Sequence, residues 1–156
     1  MTPIELALGS TDHKAIGRLY IAAAIGFGIL GMVAGVVSSF ERISLDAYDL
    51  FDQNVAVQVF SLHRLSLLYL LVIPITIGLA TAVVPLQLGA QSIVFPRLCS
   101  LGFWTWFIGG CTLVLSYVVD GGPGGAEPQA RELWVAALGM VVVGLLIGAV
   151  VLAATV

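Results

Sequence analysis

HRLSLLYLLVIPITIGLATAVVPLQLGAQSIVFPRL, residues 63–98, is the stretch that decides how this chain folds. It opens on the pair His63-Arg64 and runs apolar past Pro74 and Pro85. It breaks at Gly89-Ala90-Gln91-Ser92, ahead of Phe95-Pro96-Arg97. A membrane-spanning helix needs only about 20 apolar residues, so this stretch is long enough to cross a bilayer. Ionisable groups at the head of such a helix are costly to bury and mark a functional site by default. Pro74 removes a backbone donor in mid-helix and predicts a kink there.

The rest of the chain has the same character. It has 156 residues, of which 60% are hydrophobic and 10% charged, with a mean hydropathy of +1.09. A soluble domain carries about 25% charged residues, so this composition belongs to an integral membrane protein. The net charge of −3 has the wrong sign for a nucleic-acid partner. Cys99 and Cys111 share one apolar run, roughly 18 Å apart along a helix. That is beyond disulfide reach, and they read as small buried hydrophobes. The opening MTPIELALGSTDHK lacks the early basic region and apolar core of a signal peptide.

Working outward, the pattern predicts an all-α integral membrane protein. It is one membrane domain over residues 1–156, with four spans at about 18–40, 55–86, 98–119 and 133–156. Residues 1–17 are polar enough to lie outside the hydrocarbon. Glu41 to Asn54 reads as a solvated acidic loop without the Gly and closing Glu of a calcium loop. The run from Asp120 to Pro128 is too rich in Gly and Pro for helix. Phe103, Trp104, Trp106 and Phe107 read as headgroup anchors or packing residues. The pairs Gly31/Gly35 and Gly144/Gly148 permit close helix approach and are expected to admit a neighbour, a partner chain included. Lys14, Arg18 and Arg97 fall at one end of the bundle, Arg42 and Arg131 at the other. That balance places the termini in the cytoplasm.

Little inside the spans can do chemistry. There is no intramembrane carboxylate, no nucleophile–base pair, no phosphate-binding loop and no cluster of metal ligands, so no residue is assigned a catalytic role. His63 is the one strong ligand. Leu67, Leu70, Pro74 and Gly78 follow it at helical spacing, an apolar face suited to a large planar cofactor held through imidazole, as haem iron commonly is. The alternative is a histidine hydrogen-bonded to a neighbouring helix. Arg64 points about 100° away. It is placed to snorkel to the acidic loop or to offer a cation to a propionate.

Two strings resemble a known family. Ser10-Thr11-Asp12-His13-Lys14-Ala15-Ile16-Gly17-Arg18-Leu19-Tyr20 is similar to the N-terminal signature of subunit I of the haem–copper oxidases, the cytochrome c oxidase family. Val84-Pro85-Leu86-Gln87-Leu88-Gly89-Ala90, with Phe95-Pro96-Arg97-Leu98, resembles that family's loop between helices two and three. Phe103-Trp104 resembles the family's aromatic pair after that loop, and Gly121 to Pro128 its Gly-rich loop between helices three and four. The resemblance implies four helices like the first third of subunit I. It also implies a place in the respiratory chain or another redox complex of a bacterial plasma membrane or equivalent inner membrane. His63, eleven positions before Pro74, matches the family's low-spin haem ligand on helix two.

The resemblance thus implies a truncated subunit I-like electron-transport subunit. His63 is its haem-iron ligand and Arg64 the neighbouring cofactor-binding cation. The chain supplies one ligand to a low-spin haem and binds no copper. It cannot reduce oxygen alone, because His13 and His63 are its only histidines. The ligand opposite His63 is expected from another membrane subunit or a second copy. A haem-free accessory or assembly subunit is the alternative. The partners implied are membrane subunits and lipid, with no nucleic acid. Family members carry a polar stretch on helix two and an acid after the Gly-Ala pair; here these are largely apolar residues and Ser92. Arg64 stands where the family usually has a small residue.

Overall fold

The computed structural model describes residues 12–43 and 51–156, the Arg42 side chain aside. The described residues form four long helices and no strand. They are α1 (His13–Ile43), α2 (Gln53–Gln87), α3 (Pro96–Val118) and α4 (Pro128–Thr155). All four are long and apolar enough to cross a membrane, as expected. Most of the acidic loop, including Asp46 and Asp49, lies outside the described residues, as does the N-terminal segment through Thr11.

Local chemistry sets the boundaries. The Asp12 carboxylate accepts the Lys14 N–H at 3.0 Å, an N-cap bond. α1 therefore starts at His13, inside the segment expected to stay out of the hydrocarbon. Pro96 and Pro128 open α3 and α4, where a missing N–H costs nothing and φ is already set. α2 ends in a Schellman motif: Gly89 sits at φ +69°, its N–H bonds to Leu86, and the Ala90 N–H reaches back to Pro85. α3 ends the same way, except that the left-handed position is held by Asp120, at φ 60°, rather than glycine.

Pro74 does not simply kink α2. Residues Ser66–Val72 adopt π-helical geometry, and the Ile73 N–H bonds to Leu68, five residues back. A proline ring crowds the carbonyl four residues before it. Widening the preceding turn accommodates it, and such π-bulges concentrate at functional sites.

The core is aromatic. Tyr20, Phe103 and Trp106 are all but fully buried. Tyr20 meets Phe103 edge-on at 5.1 Å, and Phe27 meets Trp106 edge-on at 5.7 Å. Trp106 and Phe103 are thus packing residues rather than headgroup anchors. The glycine pairs are also used inside the chain. A Cβ on Gly144 would collide with the Trp106 backbone, one on Gly148 would touch Ile77, and one on Gly31 would lie 2.7 Å from Ser66. These small-residue faces let α1 pack on α2, and α4 on α3 and α2.

Candidate functional site

His63 stands near the start of α2, three residues before the π-helical segment. Its ring lies across α1. Nδ1 is 2.8 Å from the Gly31 carbonyl oxygen. A carbonyl can only accept, so Nδ1 is the donor, and in the neutral ring Nε2 keeps a lone pair. The G-x-x-x-G spacing makes the fit: a Cβ on Gly35 would come within 2.5 Å of the imidazole Cε1 and Nδ1. Any larger residue at 35 would push the ring off Gly31. The hydrogen-bonded histidine and the ligand histidine are therefore compatible readings, each using a different ring nitrogen.

The ring borders an open groove of about 530 Å³, walled by Met32, Gly35, Val36, Ser39 and Phe40 of α1. That volume lies in the range of ligand pockets, about 300–1,000 Å³. Only Ser39 brings a polar side chain besides His63, and its hydroxyl is turned back onto the Gly35 carbonyl at 2.8 Å. The wall belongs to α1, and here the structure corrects the sequence reading. Leu70, Pro74 and Gly78, expected to form the cofactor surface with His63, are buried. Leu70 packs near Gly110 of α3, and Gly78 lies against Tyr20 of α1. These residues are enclosed by neighbouring helices, and the groove beside the imidazole is walled by α1 instead.

Arg64 and His63 are not brought together on one pocket. The guanidinium of Arg64 lies 5.7 Å from the centroid of the Phe60 ring. It lines a separate groove with Ser61, Leu68, Tyr69 and Trp134. Among the described residues no group of three His, Cys, Asp or Glu side chains converges on a point.

The sequence reading missed a polar clamp one to two turns from His63 toward the start of α2. Gln58, buried to 6% exposure, donates from Nε2 to the Asp120 carboxylate. The other Asp120 oxygen accepts the Ala126 N–H at 2.9 Å. Ser61 and Tyr117 share a hydroxyl–hydroxyl bond of 3.0 Å. The Ala126 N–H, then the Gln58 amide, hold the Asp120 carboxyl below its ordinary value. The available signal was Gln58 and Ser61 at i, i+3 on one side of α2. The clamp fixes the His63 end of α2 to the α3–α4 loop.

The sequence matches the family of cytochrome c and quinol oxidase polypeptide I over residues 15–156. It is 36% identical over 118 residues to cytochrome c oxidase subunit 1 of Bacillus subtilis, covering 74% of this chain and 18% of that protein. It is 34% identical over 114 residues to quinol oxidase subunit 1 of the same organism, covering 73% of this chain and 17% of the relative. Against cytochrome c oxidase subunit 1 of Corynebacterium glutamicum it is 33% identical over 117 residues, 75% of this chain and 20% of the relative. The chain thus spans about a fifth of the length of the curated relatives it matches. Four membrane-spanning helices, with the family match running from Ala15 to the last residue, make this chain a member of the cytochrome c and quinol oxidase polypeptide I family.

Proposed function

We propose that this chain is an electron-transfer subunit of a redox membrane complex, in which His63 Nε2 would hold the iron of a low-spin haem. The observation that carries the reading is the 2.8 Å bond between Nδ1 and the Gly31 carbonyl. Ligating histidines characteristically donate their other ring nitrogen to a carbonyl or carboxylate, which fixes the tautomer and raises basicity. The residues fit the group: a lone pair on Nε2, a glycine cradle behind the ring and an apolar wall beside it. When bound, haem supplies a one-electron centre at its iron. Gly31 and Gly35 hold the imidazole, while Met32, Val36 and Phe40 give the groove an apolar wall. His13 lies at the far end of α1, roughly 27 Å from Gly31 along the helix. His63 is therefore the one histidine among the described residues that reaches the groove. We place the termini in the cytoplasm.

A haem-free accessory subunit is the second reading, favoured by the fact that the His63 bond to α1 also serves helix packing. A haem titration of the purified protein separates the two. A red-shifted, sharpened Soret band that saturates at a fixed haem-to-protein ratio supports the first reading. Titration with no saturable band leaves the second.

A further inference from the structure

We propose that Arg64 anchors a membrane phospholipid by its phosphodiester, in the groove between α2 and α4 at the Asp120 end of the bundle. The proposal rests on the membrane-spanning fold and is independent of haem binding. α2 is 35 residues long, roughly 52 Å at 1.5 Å per residue. The hydrocarbon core is about 30 Å thick, so a length of the order of 10 Å projects at each end. Arg64, eleven residues after Gln53, starts about 16 Å from the helix end, roughly 5 Å inside that boundary.

Its side chain leans toward the helix N-terminus, as helical side chains do. That direction is outward here, and the guanidinium comes to rest beside Phe60, one turn higher. Ser61 bonds to Tyr117 at the same level, and Trp134 lines the same groove. Tyrosine and tryptophan mark the headgroup level of a membrane protein. On this placement the guanidinium comes to about the hydrocarbon boundary, within reach of a headgroup phosphate.

Among the described residues the cation has no counter-ion. It is exposed, and no ion pair joins it to a described carboxylate. A guanidinium at the bilayer boundary needs an anion, and its planar fork matches phosphate oxygens. Directly below it the groove is lined by Leu65, Leu68 and Tyr69, with a volume of about 550 Å³. Leu65 and Leu68 make that floor mainly apolar, and it suits an acyl chain. Charge at the top and hydrocarbon beneath give the amphipathic order of a phospholipid, which neither a free anion nor a peptide helix reproduces.

The test is native mass spectrometry of the purified protein in detergent. Phosphatidylglycerol and a diacylglycerol of the same chains are added separately. The wild type is expected to retain one phosphatidylglycerol and to release diacylglycerol. Arg64→Gln is expected to weaken phosphatidylglycerol retention by about tenfold or more, the loss of a charge-assisted pair, with Arg64→Lys intermediate. Arg64 is exposed, so far-UV circular dichroism should match the wild type and show these variants folded. Equal retention by Arg64→Gln, or diacylglycerol held as tightly as phosphatidylglycerol, overturns the proposal. Displacement of the lipid by excess inorganic phosphate makes this a free-anion site and overturns it too. A changed haem-to-protein ratio in Arg64→Gln would assign the cation to the cofactor instead.

Discussion

Trp106 donates its indole N–H to the backbone carbonyl of Tyr69 at 3.1 Å, and this carbonyl is the one that Pro74 leaves without a helical partner. In an α-helix Tyr69 would receive the N–H of Ile73, but that N–H goes to Leu68. In the π-helical register it would face residue 74, a proline with no N–H to give. A buried carbonyl without a donor is costly, the more so away from water. The fully buried Trp106 of α3 supplies the missing donor, and so holds the widened turn beneath His63.

Trp106→Phe should therefore destabilise the protein by about 1–2 kcal/mol. In a Pro74→Ala background the backbone regains an N–H, and the cost of Trp106→Phe should shrink. Thermal unfolding of the four proteins in detergent gives the coupling. Strict additivity would show that Trp106 does not act through the orphaned carbonyl.

Gly35→Ala tests the cradle. The added Cβ would lie 2.5 Å from the His63 ring, so the ring must swing away and lose Gly31. The expected result is a reduced haem-to-protein ratio with little change in helix content. Gly26→Ala is the control, since nothing lies within 4 Å of a Cβ there. It should be neutral or slightly stabilising.

The Asp120 clamp gives a pH dependence. Bonds from Ala126 and Gln58 favour the ionised carboxylate and depress its pKa. A depressed folded value means that the clamp contributes fully above the ordinary carboxylate value, 3.8 for this group. That contribution is lost as pH falls through the lower folded value. Asp120→Asn should remove this step from a plot of melting temperature against pH below about 4. An unchanged acid limb would mean that other carboxylates govern it.

Topology is checked by labelling. The Val94 N–H bonds to the Thr155 hydroxyl at 3.3 Å, which puts the α2–α3 loop beside the end of α4. Asp120 and Gln58 close the opposite end. Cysteines introduced at Gln91 and Gln129 should react with a membrane-impermeant reagent from opposite faces of the membrane, Gln91 from the cytoplasm. Labelling of both from one face would contradict the four-span arrangement.

Composition and run length made the four spans legible, because a bilayer fixes how many apolar residues a crossing needs. His63 was legible as the intramembrane ionisable group. Its surroundings were not. Helical spacing assigned Leu70, Pro74 and Gly78 to its face, and the packing of the neighbouring helices buries all three. Gly31 and Gly35 announced a close approach without saying to what; the imidazole of the next helix is the answer. Gln58 and Asp120 are 62 positions apart, and only the fold pairs them.

The most direct test replaces the ligand and then returns it. His63→Gly removes the imidazole and leaves its space beside Gly35. In that variant the low-spin haem spectrum should vanish, and free imidazole added to the solution should restore it, because the small molecule can take the place of the missing side chain. A wild type with a low-spin haem spectrum that persists unchanged in His63→Gly, with or without imidazole, would contradict His63 as the iron ligand.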